Sequence, residues 1–293
     1  MCQGHRGWGY ALDMESVAEH RVQIAGHMTR ALEVDGDGPG IVLLHGWSDS
    51  ADTWRPLLAE LAARGRRAIA VDLPGVGDAT PLQPGAVLPQ LDAFANEVAL
   101  SWAGTDPIVL AGTSLGGCLA LRLAEHPGEL RLVGVVPVAP DGLELPSWFD
   151  PIEEDPMVRR LLSIPVPVPG EILRRGQAAA YRQLALSHPT ETQKAVVDAF
   201  SRDGETRADV AALLESGRAL APELSTAPFD LIGIRCPVLL VWGAHDRTLP
   251  HTDARMALDA LPTTQVELIE DAGPHPQLEA TRRLAELLMP FGT

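Results

Sequence analysis

The chain has 293 residues, enough for one large domain or two, and 46% of them are hydrophobic, ample material for a buried core. Its 39 acidic against 23 basic side chains leave a net charge of −16, a surface that repels phosphate backbones and anionic lipid and argues against nucleic-acid binding. No run reaches the ~18 apolar residues of a membrane-spanning helix, the N-terminus lacks a basic-then-apolar signal pattern, and Cys2, Cys118 and Cys236 show neither zinc-site nor disulfide spacing.

Residues 1–19 have no clear period, are rich in Gly and His, and enclose Met14; they read as a leader without chemistry. His20–Ala25 and Met28–Val34 alternate apolar and polar residues, as a half-exposed antiparallel pair would. Asp35–Gly40 is a turn. After it come the buried strand Ile41–Leu44 leading to His45, a helix around Thr53–Arg64, and the strand Ala68–Leu73. Strands alternating with helices in this way predict a mainly parallel sheet covered on both faces. Asn96–Trp102 belongs to the helix before the next strand.

That strand, Pro107–Ala111, runs into Gly112-Thr113-Ser114-Leu115-Gly116, and Gly117–His126 then continues small and apolar at helical spacing. The order is strand, sharp turn, helix, with Ser114 at the apex and its hydroxyl above the sheet. The glycines two residues to either side let strand and helix approach without Cβ clashes. A neutral serine is a poor nucleophile; it needs a base within hydrogen-bond reach and a third group to orient that base.

Leu132–Val138 is the sixth strand. From about Asp141 to Asp230 the pattern turns helical and proline-punctuated: Met157–Leu162, Glu171–Ser187, Glu191–Ser201 and Arg207–Leu220 are amphipathic, around the extended linker Ser163–Gly170. The apolar strand Pro237–Gly243 then leads to Asp246, and an aspartate just past a strand's C-terminal end lies where open α/β sheets gather functional groups. Asp141, after the sixth strand, is its rival. Gln265–Ile269 alternates like a strand and leads through Glu270–Pro276, which carries His275, to a last helix. The chain order of the candidates is Ser, Asp, His.

On these motifs the chain, from about Val22 to Phe291, resembles the α/β-hydrolase fold superfamily. The resemblance implies an α/β core, 20–140 and 231–293, with a mostly parallel sheet of about eight strands and helices on both faces. It implies an inserted helical cap, 141–230, over the site. It also implies Ser114 as nucleophile, Asp246 as acid and His275 as base. His45-Gly46-Trp47 resembles the oxyanion loop, with the backbone N–H groups of Trp47 and Leu115 as oxyanion donors and His45 fixing the loop. Asp72–Gly77 resembles the structural turn after the fourth strand. Pro274 and Pro276, on either side of His275, depart from the commoner pattern.

The activity so implied is hydrolysis of small or medium apolar carboxylic esters through an acyl-enzyme, with no cofactor and no metal, while the scattered cysteines and the missing signal pattern point to a reduced, cytoplasmic protein. A small-molecule substrate is the expected partner, with no membrane span and homo-oligomerisation left open. Relatives that dehalogenate alkanes or open epoxides use an aspartate where this chain has Ser114. Carbon–carbon bond hydrolysis, lactone hydrolysis, cofactor-free haloperoxidation and, outside enzymes, a ligand-binding receptor with a nearly inactive triad stay open. Between a carboxylate that raises the pKa of His275 and burial that lowers it, kcat/KM is expected to rise with pH through one ionisation between about 6 and 7.5.

Overall fold

The computed structural model describes residues 16–76, 79–143, 207–226, 228–246 and 264–291, with the backbone alone at 207–214. Eight strands form one sheet: β1 Ala18–Ile24, β2 His27–Val34, β3 Asp37–Leu44, β4 Arg66–Val71, β5 Ile108–Ser114, β6 Leu132–Pro140, β7 Val238–Gly243 and β8 Thr264–Ile269. Their spatial order is β1-β2-β4-β3-β5-β6-β7-β8. β2 runs antiparallel to both β1 and β4, while every pair from β4 through β8 is parallel. The expected mainly parallel sheet with an antiparallel pair at its start is therefore present.

Six helices accompany it among the described residues: α1 Arg55–Ala63, α2 Leu88–Ala103, α3 Leu115–Glu125, α4 Arg207–Ser225, α5 Pro276–Glu279 and α6 Thr281–Leu288. Alternate residues of each central strand face opposite layers, and both layers are apolar. Val42 and Leu44 of β3 with Leu110 of β5 pack toward Leu91, Phe94 and Val98 of α2 and Leu119 of α3. Ile41 and Leu43 with Val109 and Ala111 pack toward Leu57, Leu58 and Leu61 of α1 and Leu284 and Leu288 of α6. Burial on both faces is why these strands are unbroken apolar runs rather than alternating ones.

Two of the boundaries that differ from expectation have plain physical reasons. The turn anticipated at Asp35–Gly40 is largely strand, because Asp37 pairs with Arg66 and its N–H donates to Gly65 O at 2.7 Å before the register shifts toward Ile41. Glycine permits that approach: a Cβ on Gly36 would lie 2.4 Å from Gly65 O. The helix anticipated at Thr53 instead opens as a 3-10 turn, Ala51–Trp54, whose cap Ser50 accepts from the Asp52 N–H.

Of the region read as a cap, α4 is described, and it extends to Ser225 rather than Leu220. The helices expected at 157–162, 171–187 and 191–201, and the linker 163–170, lie outside the described residues, as does the leader up to residue 15. Cys118 is buried in α3 and Cys236 is half-buried; both are free thiols. Among the described residues no helix is long and apolar enough to cross a membrane.

Candidate active site

Ser114 ends β5 and precedes α3 with φ +51° and ψ −119°, a conformation that L-residues seldom adopt. The surrounding backbone enforces it. A Cβ on Gly112 would lie 2.3 Å from the Gly116 carbonyl, and one on Gly116 would lie 2.1 Å from Leu44 O. Any side chain at either position would push strand and helix apart. Other residues with positive φ flank the same place, Ser48 at +61° and Ala139 at +42°. Strain of this kind persists only where the surroundings over-determine it; among the described residues Ala25, in the turn between β1 and β2, also has positive φ, at +48°.

The loop after β3 faces that serine. A Cβ on Gly46 would sit 3.2 Å from Ser114 Cβ and 3.6 Å from its Oγ. His45 fixes this loop and is fully buried. Its Nε2 accepts from the Leu73 N–H at 2.8 Å, so Nδ1 holds the proton and donates to Gly46 O at 2.8 Å. Burial pushes its pKa down, in keeping with a neutral clamp. Leu73 follows Asp72, whose carboxylate takes two bonds from Arg30, at 3.0 and 3.2 Å, and one from the Ala51 N–H at 2.8 Å. Burial alone would raise the Asp72 carboxyl; the Arg30 contacts overcome it and hold it below the ordinary value. Leu115 is the first residue of α3, and the opening N–H groups of a helix have no partner within it. That N–H and the Trp47 N–H are carried on the two segments that flank Ser114 Oγ. The Trp47 indole donates to Ser216 Oγ of α4 at 3.1 Å and lies against Gly217, where a Cβ would come within 2.7 Å of the ring.

The candidate acids and base lie past the ends of β6, β7 and β8, which follow β5 side by side in the sheet. Asp141 is nearest the serine: its N–H donates to Ser114 O at 3.2 Å, and the Ser114 hydroxyl donates to Asp141 Oδ2 at 2.8 Å. Burial pushes the Asp141 carboxyl up to about 7, the Ser114 bond opposes that, and the charge of Asp246 adds to it. The two carboxylates thus share one field. Asp246 stands three residues beyond β7, its N–H bonded to Gly243 O at 3.1 Å.

The loops carrying Asp246 and His275 are locked together. Ala244 N–H donates to Ile269 O and His245 N–H to Ala272 O, both at 2.9 Å, and a Cβ on Gly243 would lie 2.0 Å from Gly273 O. His275 precedes α5, and its backbone N–H donates to Glu279 Oε1 at 3.1 Å. Its ring Nδ1 lies 3.0 Å from Gln277 Nε2, and burial pushes its pKa down to about 4. That places the titration below the window of about 6 to 7.5 expected from sequence, because desolvation carries the shift.

Three side chains near this site were not singled out from the sequence. Gln277 is fully buried and reaches Thr53 Oγ1 at 3.1 Å, and Asp49 is buried with its carboxyl pushed up to about 8 by that burial. Positions 53 and 277 are 224 residues apart, so no local pattern could join them. A cavity of about 610 Å³ between α2, α3 and Pro228–Asp230 is lined by Asp92, Arg122 and His126 among others, and holds none of the candidate site residues.

The comparisons with known proteins agree with this architecture. A pimeloyl-[acyl-carrier protein] methyl ester esterase of Xanthomonas campestris pv. campestris is 28% identical over 264 residues, covering 89% of this chain and 97% of that protein. Among solved structures, a putative aryl esterase from Burkholderia cenocepacia has a TM-score of 0.71 at 21% identity, covering 94% of this chain and 97% of the other. The enol-lactonase from Burkholderia xenovorans LB400 has a TM-score of 0.69 at 18% identity, covering 93% and 99%. These two share the fold with this chain, and a fold common to an esterase and a lactonase does not choose between them. The model of the alpha/beta hydrolase family matches residues 41–287, which span every strand from Ile41 through β8 and the whole serine turn, and the chain belongs to that family.

Proposed function

We propose that the chain is a serine hydrolase that cleaves carboxylic esters of small or medium apolar substrates through an acyl-enzyme. One observation carries the proposal: Ser114 is held at positive φ between β5 and α3 with the Gly46 loop against its hydroxyl. That geometry presents a nucleophile between two sets of backbone donors. In the proposed reaction Ser114 Oγ attacks the ester carbonyl as its proton passes to His275, and Asp246 stabilises the imidazolium that forms. The N–H groups of Trp47 and Leu115 receive the developing oxyanion, each such donor contributing about 3 to 4 kcal/mol in a protease where it has been removed. The tetrahedral intermediate collapses, the alcohol leaves with the proton from His275, and a water activated by the same imidazole releases the acid.

The hydrogen bond from Ser114 to Asp141 belongs to the resting arrangement, and attack requires the hydroxyl to exchange that partner for the imidazole. The esterase relatives at 28% identity favour ester over lactone or carbon–carbon substrates, and the methyl ester in the name of one of them makes methyl esters the first to try. A fluorophosphonate should label Ser114, and p-nitrophenyl esters of increasing acyl length should turn over with a maximum at short or medium chains. Labelling without turnover of any ester, lactone or vinylogous diketone would favour a receptor instead.

A further inference from the structure

We propose that Ser216 of α4, with Gly217 beside it, is a positioning residue that holds the Trp47 N–H in place to receive the oxyanion. This rests on the reading of Ser114 as the nucleophile and of Trp47 as one of its donors. The Trp47 indole donates to Ser216 Oγ at 3.1 Å, across 169 positions of sequence, and both residues are half-buried. Beside that bond, a Cβ on Gly217 would lie 2.7 Å from Cζ2 of the ring and 3.1 Å from Cε2. Glycine is a poor helix former. At this buried position its bare Cα is what lets the helix lie on the ring.

Trp47 is a place where a small displacement matters. Its N–H shares one planar peptide unit with the Gly46 carbonyl, and the two groups point in opposite directions. His45 donates to that carbonyl at 2.8 Å, which sets the direction of the Trp47 N–H. Gly46 lies against the nucleophile, a Cβ there being 3.6 Å from Ser114 Oγ. His45 constrains the carbonyl end of this plane; beyond Trp47 the chain continues through Ser48 at φ +61°. The bond from the indole to Ser216 adds a constraint at the nitrogen end, through the side chain of the donor residue itself.

The helix that makes this contact is fixed in turn. Leu220, Ala221 and Leu224 of α4 are buried in the same apolar layer against which the Trp47 ring packs. Glu223 accepts from the Val87 and Leu88 N–H groups at 2.7 and 2.8 Å. Ser216 therefore refers the position of the ring to the core. A misplacement of about 1 Å at a reacting centre can cost on the order of 10²-fold in rate, so a fraction of that shift at Trp47 is large enough to measure.

The test compares Ser216→Ala, Gly217→Ala, Trp47→Phe, the double variant Trp47→Phe with Ser216→Ala, and Ser114→Ala with the full wild-type chain. It measures kcat and KM on a p-nitrophenyl ester, and inhibition by a trifluoromethyl ketone, whose hemiketal with Ser114 places an oxyanion before the same donors. Ser216→Ala should lower kcat by about 3- to 30-fold with little change in KM, less than the roughly 10²- to 10³-fold that deleting a donor costs. The ketone should bind more weakly by about the same factor, because the affected contact is made to the tetrahedral state and not to bound ester. Trp47→Phe keeps a ring without the indole N–H, so Ser216→Ala should have no further effect in that background. Gly217→Ala displaces the ring with the Ser216 hydroxyl intact and should lower kcat in the same direction. If Ser114→Ala is inactive while Ser216→Ala keeps wild-type kcat and ketone inhibition, or loses as much in the Trp47→Phe background as alone, the positioning role is overturned and the nucleophile stands. If Ser114→Ala retains turnover, the nucleophile and the positioning role fall together. Should Ser216→Ala not fold, an unchanged kcat and ketone inhibition in Gly217→Ala is enough to overturn the proposal.

Discussion

At the scale of single residues, Ser114 is held at positive φ between β5 and α3, and its removal tests the proposed chemistry directly. Ser114→Ala should leave the fold intact and lower kcat by on the order of 10⁵ to 10⁶, leaving what the oxyanion donors and binding supply. A variant retaining a tenth of the rate would place the nucleophile elsewhere. The choice of acid follows from which group each carboxylate touches. A triad acid works through the imidazole, whereas Asp141 bonds to the serine hydroxyl itself. Asp246→Asn is therefore expected to lower kcat by on the order of 10⁴, and Asp141→Asn by far less. A reversed ranking would move the acid to the end of β6. For His275, pushed down to about 4, the sign is set by the need for a neutral acceptor. Below that value the ring is charged and cannot take the serine proton, so kcat/KM should rise with pH through an ionisation near 4. An acid limb near 7 in the wild-type chain would show that a neighbouring negative charge outweighs burial in the working enzyme.

At the scale of elements, three hydrogen bonds tie α4, the described part of the region read as a cap, to the loop after β3 and the start of α2. Trp47 on the loop after β3 donates to Ser216 of α4, and Glu223 of α4 accepts from the Val87 and Leu88 N–H groups at 2.7 and 2.8 Å. Those two N–H groups open α2, whose own cap residue Val87 has no side-chain acceptor to offer. Glu223 therefore caps α2 from another element. Glu223→Ala should lower stability by about 1 to 2 kcal/mol, the range for losing a good N-cap, with Glu223→Gln intermediate, read from urea unfolding midpoints. Equal midpoints for all three chains would show that the contact adds nothing.

The elements also show what sequence could and could not convey. The serine turn was legible because its requirements are local: an apolar strand, glycines at fixed offsets and a helix of small residues, all within Ile108–Glu125. The central strands were legible because both their faces are buried. By contrast, the ring of His275 meets Gln277 of the first turn of α5, and Gln277 in turn meets Thr53 of a 3-10 turn after β3. Gln277 in Pro276-Gln277-Leu278 carries no sign that its amide meets Thr53. The start of β3 was misread because a run of Gly and Asp looks like a turn until a neighbouring backbone is placed against it.

At the scale of the whole molecule, the same buried carboxyls that surround the site should make stability depend on pH in an unusual direction. Asp49 and Asp141 are pushed up to about 8 and 7, chiefly by burial, whereas an aspartate in the unfolded chain titrates near ~3.9. Between those values the folded chain holds protons that the unfolded chain has released, so the free energy of unfolding falls as pH rises. Their contribution is complete below the unfolded value and is lost as pH climbs through 7 and 8. His275 acts oppositely: its pKa is lowered to about 4, so the unfolded chain binds its proton more readily and stability rises with pH between about 4 and 6.5. The two trends oppose one another up to about 6.5, and above it the carboxyls act alone. The urea midpoint of the wild-type chain should therefore decline from pH 6.5 to 8.5. Asp49→Asn and Asp141→Asn should each flatten that decline, whatever they do to the absolute midpoint, because an amide has no proton to release. Slopes identical to wild type in both variants would show that these two groups titrate in the folded chain at ordinary aspartate values.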